Sequence, residues 1–324
     1  MVKFEGPLFL VGLPRSGTKL LRGLLNGHSR VSIPLNETEF LPHWLNNWSD
    51  FGDLSTPAGF EAFYARVSRS RYFTHRLDEH GKRIPAAVWS SQCKSFTPQA
   101  VFEALIRHDA AVPNDAIWGD KSPGYISHLP LLKAAFPRAR FIHIIRDVRD
   151  YSLSINHAFG KSKIRAAQRW NDSISSARQA AQALGNDYIE VLYEKLLDDP
   201  QRHLQLLCDF VGIDFEPGML QLSFPTENIG IAKGQRQIMQ KNVEKWRTKM
   251  PDKERILIEQ ISGNLLRSLG YPVSESSTRT VSKFRMLALQ AHDGFQLTKT
   301  EASRRGWFTT VQTILRSLLA TRSL

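Results

Sequence analysis

The stretch Leu8-Phe-Leu-Val-Gly-Leu-Pro-Arg-Ser-Gly-Thr-Lys-Leu-Leu-Arg-Gly-Leu-Leu-Asn26 decides the fold. Its apolar start at residues 7–13 is short and continuous, which predicts a strand buried on both faces. Leucines at helical spacing then predict a helix over Lys19–Asn26. Between these elements, the segment Gly12–Lys19 forms a loop with two glycines. A strand, a glycine loop and a helix in this order are typical of the start of a nucleotide-binding α/β fold.

Strands and helices alternate along the rest of the chain. Apolar runs at residues 139–145 and 188–192 predict two more strands. The hydrophobic spacing predicts helices at about residues 150–158, 165–184, 199–211 and 252–269. This alternation predicts an α/β protein with a P-loop-like fold, in which a central parallel sheet is flanked by helices.

Composition divides the chain into two regions. Residues 1–273 form the predicted α/β domain, which ends at the serine-rich segment 274–280. Within this domain, residues 40–115 are rich in aromatic side chains, and we expect a helical insertion there on the substrate side. Residues 274–324 form a basic extension, in which Trp307 begins an amphipathic helical stripe flanked by arginines.

Positive charge is distributed unevenly along the 324 residues, whose net charge is +12. From Arg279 to Leu324 there are eight Lys or Arg and two Asp or Glu, a net charge of +6 and thus half of the total. The remainder is only moderately basic, so we expect no nucleic-acid partner. The basic helix favours peripheral contact with a membrane, docking on the main domain, or homodimerisation.

The loop Gly12–Lys19 has the composition of a phosphate site. Consecutive backbone N–H groups and a helix N-terminus attract an anion, and the two glycines let the backbone approach it. The order Gly-Thr-Lys reverses the Gly-Lys-[Ser/Thr] ending of nucleotide triphosphatases, and Arg15 adds a second cation. Asp147 lies between two arginines and is expected to pair with one of them rather than bind magnesium.

The segment Pro14–Thr18, followed by Leu-Leu-Arg, resembles the 5′-phosphosulfate loop of sulfotransferases of the bacterial and tyrosylprotein type. These enzymes use 3′-phosphoadenosine 5′-phosphosulfate (PAPS) as sulfuryl donor. Three other segments resemble motifs of the same family: the Asp-Lys-[Ser/Thr]-Pro segment in Trp118–Tyr125, the 3′-phosphate motif in Phe141–Ser154, and a strand-to-helix segment in Tyr188–Leu197. The resemblance implies that the donor contacts Arg15, Ser16, Gly17, Thr18, Lys19, Arg146, Ser154, Tyr193 and Lys233. Arg236 and Lys241 are alternatives to Lys233.

Sulfuryl transfer between oxygens needs cations at the leaving phosphate, a donor at the bridging oxygen and a base at the acceptor. The resemblance assigns these tasks to Arg15, Lys121 and Glu37, and Glu39 is the rival base. Lys19 stands where the family usually has Thr, and it either adds a cation or points away. We expect no metal ion, because no cluster of metal-binding residue types is seen.

We therefore expect a sulfotransferase that moves the sulfuryl group of PAPS to a hydroxyl or amine. The aromatic region 40–115 favours a saccharide or glycolipid acceptor, and a phenol is the third candidate. A P-loop kinase or nucleotide triphosphatase is the alternative function, and a non-catalytic membrane-associated protein is the second alternative. The apolar run at Leu8–Leu13 is too short for a signal peptide or a membrane span, and the cysteines Cys93 and Cys208 form no disulfide framework. We expect a cytoplasmic protein, either free or peripheral at the inner membrane.

Overall fold

The computed structural model describes residues 3–70, 72–74, 83–225 and 233–305. Five strands form a parallel sheet in the order β2-β3-β1-β4-β5. Their bounds are β1 (Leu8–Gly12), β2 (Val31–Ser32), β3 (Ile117–Lys121), β4 (Arg140–Ile145) and β5 (Tyr188–Leu192). The predicted α/β fold with a parallel sheet is confirmed.

The continuous apolar runs form the middle of this sheet. All residues of β1 are buried, and so are residues 141–145 of β4, as expected for inner strands of a parallel sheet. Strand β3 is a strand that the sequence pattern did not predict. Its sequence Ile-Trp-Gly-Asp-Lys carries two charges, yet all five residues are buried, because β3 pairs with β2 on one edge and with β1 on the other.

Helices occupy much of the remaining described chain. The predicted helices at 165–184, 199–211 and 252–269 correspond to α8, α10 and α12, and their ends differ by at most three residues. The helix expected from about residue 150 begins earlier, at Val148. The helix bounds are α1 (Thr18–Leu25), α2 (Leu41–Asn47), α3 (Pro57–Val67), α4 (Ala86–Gln92), α5 (Pro98–Asp109), α6 (Leu129–Ala135), α7 (Val148–Phe159), α8 (Lys163–Ala181), α9 (Tyr193–Asp198), α10 (Pro200–Val211), α11 (Trp246–Lys249), α12 (Asp252–Ser268) and α13 (Lys283–Arg305).

The aromatic side chains of residues 40–115 pack against one another. Trp44, Phe63, Trp89 and Phe102 are at most 2% exposed, and the ring centroids of Trp44 and Phe63 are 5.3 Å apart. These rings contribute to the hydrophobic core that includes Phe9 of β1. The aromatic residues are therefore mostly core residues, and the saccharide acceptor that their composition favoured stays a prediction.

The described chain divides into two compact units. The first contains residues 3–146, 176–225 and 233–241, and it holds the whole sheet and the aromatic core. The second contains residues 147–175 and 242–305. The domain boundary at residue 273 stays a prediction, and the apolar stripe from Trp307 onwards lies outside the described residues.

A buried arginine organises the second unit. The Arg149 side chain is 1% exposed and forms ion pairs with Asp147 at 2.6 Å and with Glu259 at 2.9 Å. Its guanidinium carbon lies 3.8 Å from the centre of the Trp246 ring, a cation–π contact. The expectation that Asp147 pairs with a neighbouring arginine is confirmed, and the partner is Arg149.

Candidate active site

The predicted phosphate loop joins the end of β1 to the start of α1. Gly17 is the N-cap of α1 with φ +95°, and it supplies no side-chain cap to the first helical N–H groups. The backbone of Arg15 also has positive φ, +74°. Because the Ser16 N–H donates to the Leu13 carbonyl at 3.1 Å, the amides left to bind an anion begin at residue 17 rather than at residue 16.

Two strand ends meet this loop. A Cβ atom on Gly17 would lie 2.4 Å from Cδ2 of Tyr193, the residue that begins α9 directly after β5. The guanidinium of Arg146, which follows β4, lies 4.6 Å from the centre of the Tyr193 ring. Arg146 also donates from Nη1 to the Arg15 carbonyl at 3.2 Å. The fold thus brings together four residues that the sequence assigned to the donor.

The predicted catalytic residues Lys121 and Glu37 form an ion pair. Lys121 ends β3 and its side chain is 0% exposed, whereas the Glu37 side chain is 31% exposed. The Lys121 Nζ donates to Glu37 Oε1. Burial lowers the pKa of Lys121 to about 8, and the Glu37 carboxylate opposes that shift. The rival base Glu39 is exposed, with φ +53°.

A buried hydroxyl network fixes the backbone beside Glu37. The Thr38 hydroxyl hydrogen-bonds to Tyr125 Oη at 2.6 Å, and the Thr38 N–H donates to Ser122 Oγ at 3.0 Å. On the other side of Glu37, the Asn26 side chain binds both backbone groups of Ile33, at 2.9 Å to the N–H and 2.8 Å to the carbonyl. The carboxylate is therefore presented from a short segment that is tied at both ends.

Asp120 is a buried carboxylic acid that sequence reasoning missed. It precedes Lys121 in β3, it is 0% exposed, and burial raises its pKa to about 7. Neither oxygen makes a well-aligned hydrogen bond to a described residue, although the Ser122 and Thr38 hydroxyls lie close enough to favour the charged form. The Asp-Lys-Ser-Pro segment included Asp120 and was the signal that could have identified it. Its burial, however, results from the position of β3 in the sheet and is not visible in the segment itself.

Lys19 lines a pocket of about 390 Å³ between α1 and the segment that follows β2. Arg22, one helical turn further on, and Asn36, the residue before Glu37, also line it. Residues 14–18 of the loop are not among the described residues that line this pocket. Lys19 therefore reaches a pocket beside Asn36, the residue that precedes Glu37, and its role at the donor stays a prediction.

The remaining candidates lie apart from these contacts or belong to the second unit. Ser154 is half-buried in the second turn of α7, since that helix begins at Val148, and Lys233 is exposed. Their roles at the 3′-phosphate stay predictions. Within the described ranges, no group of three or more His, Cys, Asp or Glu side chains is arranged to hold a metal ion.

Comparison with known proteins gives consistent matches. The model of the "Sulfotransferase family" matches residues 7–217. The chain is similar to protein-tyrosine sulfotransferase 1 of Danio rerio, with 26% identity over 82% of this chain and 72% of that protein. Protein-tyrosine sulfotransferase A of Caenorhabditis elegans is 25% identical over 66% of this chain and about half, 51%, of its own length. The sulfotransferase domain from the Synechococcus PCC 7002 olefin synthase has a similar fold, with a TM-score of 0.56 at 21% identity over 84% of this chain and 97% of that domain.

Proposed function

The chain belongs to the sulfotransferase family, and from this membership we propose that it transfers the sulfuryl group of PAPS to an acceptor hydroxyl or amine. One observation carries the proposal: Arg146 contacts the phosphate loop that follows β1, and the Lys121–Glu37 pair lies at the end of the neighbouring strand β3. Such an arrangement provides an anion site and, next to it, an acid and a base.

The residues at the loop fit a donor with two phosphate groups. The uncapped amides of α1 and the Arg15 guanidinium suit the phosphosulfate end. Arg146 provides a second cation, held between the Arg15 carbonyl and the Tyr193 ring. We propose Ser154 and Lys233 as further ligands of the 3′-phosphate, on the resemblance of their segments alone.

The catalytic tasks divide between three side chains. The acceptor hydroxyl gives its proton to the Glu37 carboxylate as its oxygen forms the new bond to sulfur, and the bond between sulfur and the bridging oxygen breaks. The negative charge that remains on the leaving phosphate is balanced by Arg15 and Lys121. The ion pair supports this division, because it places the Glu37 carboxylate and the Lys121 ammonium in direct contact.

The pocket beside Glu37 is the proposed acceptor site. Its polar lining, which includes Asn36 and Ser223, suits a sugar hydroxyl, so a saccharide or glycolipid remains one candidate acceptor. The second candidate is the phenol of a protein tyrosine, because the Danio rerio and Caenorhabditis elegans relatives are named protein-tyrosine sulfotransferases. Incubation with labelled PAPS and with each acceptor class separates the two.

Donor binding tests the proposal directly. Calorimetric titration with adenosine 3′,5′-bisphosphate should give binding without Mg²⁺, and Arg15→Ala should weaken it about 10- to 100-fold, the range for loss of one charge-assisted contact. Arg69→Ala is the control, because Arg69 is an exposed arginine outside the site. Binding of ATP only with Mg²⁺, and none of the bisphosphate, would favour the kinase or triphosphatase alternative instead.

A further inference from the structure

Helix α13 presents an uncovered apolar face. Phe284 is 86% exposed, Leu287 is 62% exposed and Phe295 is 61% exposed. At about 100° per residue, these three side chains and Ala291 fall within a sector of about 80°. Isolated exposed apolar residues are ordinary, but several on one face of one helix mark a surface that meets an apolar partner.

The opposite side of α13 is anchored, which fixes the direction of this face. Asp293 lies about 180° around the helix from Phe284 and is 2% exposed. Its carboxylate accepts the Ser162 N–H at 2.7 Å and pairs with Arg165 at 2.8 Å. Because this partly buried ion pair holds α13 in the second unit, the apolar face is turned outward.

The charges beside this face identify the partner. Lys283, Arg285 and Lys299 are exposed on α13, and Asp293, one of the two acidic residues in 279–324, is used by Arg165. A second copy of this region would bring another net charge of +6 against the first. Anionic lipid headgroups instead complement the lysines and arginines, while acyl chains receive the phenylalanines.

We propose that α13 lies in the interface of a membrane that contains anionic lipids. Phe284, Leu287 and Phe295 would enter the boundary of the acyl chains, and the cations would remain among the headgroups. Contact would be peripheral: among the described helices, none is long and apolar enough to cross a membrane. The proposal does not depend on the proposed function, since no residue of α13 belongs to the candidate site.

Co-sedimentation of the full chain with vesicles tests this proposal. The chain should bind phosphatidylcholine vesicles that contain phosphatidylglycerol, bind pure phosphatidylcholine weakly, and dissociate as salt rises. Phe284→Ser with Phe295→Ser should reduce partitioning about 100-fold, since each ring loses its apolar transfer. Leu206→Ser, which changes a 47% exposed leucine on α10, should leave binding unchanged.

A second variant protects the test against misfolding. Lys283→Gln with Arg285→Gln keeps the apolar face and should remove the preference for anionic vesicles. Circular dichroism and bisphosphate binding report whether each variant is folded. Equal binding of the unsubstituted chain to neutral and anionic vesicles, or unchanged binding by the phenylalanine variant, would overturn the proposal. So would a dimer in solution that this variant dissociates, because the partner would then be a second copy.

Discussion

Glu37→Gln separates the structural and chemical contributions of the Lys121–Glu37 pair. The substitution leaves a buried ammonium without its charged partner. Breaking a fully buried pair costs about 3–5 kcal/mol, and because the Glu37 side chain is 31% exposed we expect about 2 kcal/mol of destabilisation. The loss of a general base should lower kcat/KM about 10²- to 10⁴-fold.

A double-mutant cycle measures the two effects independently. Urea unfolding of Glu37→Gln, Lys121→Met and the double variant should give a coupling free energy above about 1 kcal/mol, because the double variant leaves no unpaired charge. Single-turnover rates with labelled PAPS should stay low in all three variants. Glu39→Gln, two residues away and exposed, is the matched control and should retain both stability and rate.

Two results would refute this reasoning. A Glu37→Gln enzyme with nearly full single-turnover rate would show that another group takes the acceptor proton. Additive unfolding free energies, with coupling under about 0.5 kcal/mol, would show that the contact between Lys121 and Glu37 contributes nothing to stability.

Four further predictions follow from the site. Because burial lowers the pKa of Lys121 to about 8 and the protonated form is the donor, the pH profile of kcat/KM should fall through about pH 8 rather than near lysine's ordinary 10.5. Gly17→Ala should weaken binding of adenosine 3′,5′-bisphosphate at least about tenfold, since its Cβ would lie 2.4 Å from the Tyr193 ring at a φ of +95°. At pH values above 7, Asp120→Asn should have a higher thermal midpoint than the wild type, and its midpoint should change less between about pH 4 and 7. The reason is that the pKa of Asp120 is raised in the folded protein, so wild-type stability falls as pH rises through that window, by as much as a few kcal/mol. Lys19→Thr should raise the acceptor KM and leave bisphosphate affinity within about twofold, because Lys19 lines the pocket beside Glu37.

Each of these has an outcome that contradicts it. If kcat/KM falls only near pH 10, Lys121 is not the acid. If Gly17→Ala leaves bisphosphate binding unaffected, the donor binds elsewhere. A midpoint that Asp120→Asn lowers at every pH would indicate that the carboxylate is favourably bound when charged. A tenfold loss of bisphosphate affinity in Lys19→Thr would make Lys19 a donor ligand.

The sequence predicted the parts of the fold whose signal is local. Strands β1, β4 and β5 are short apolar runs, and the loop Gly12–Lys19 has a fixed order of residue types. Strand β3 was missed because Gly, Asp and Lys make up three of its five residues, and only pairing on both edges explains why they are buried. Strand β2 has two residues, too few for any periodicity.

In the candidate site, too, the sequence predicted individual residues but not the contacts between them. Arg15, Gly17, Arg146 and Tyr193 were named from their motifs, and the structure brings them into contact. Their mutual contacts leave no local signal, because they join residues far apart in the sequence: the Tyr193 ring lies against Gly17, and Arg146 donates to the Arg15 carbonyl. The aromatic segment 40–115 was predicted to lie on the substrate side, but its composition did not indicate that many of its rings face one another inside a core.

The short edge strand has a consequence for behaviour on heating. Glu37 follows β2, whose pairing with β3 is limited to Val31 with Ile117 and Ser32 with Trp118, supplemented by the Asn26 side chain. Because so few backbone hydrogen bonds hold β2, this strand should open more readily than the interior strands. The Thr38 contacts with Ser122 and Tyr125 still tie the other end of the Glu37 segment, so warming should loosen this segment from its β2 end. We therefore expect catalysis to decline before the sheet melts and to return on cooling without refolding.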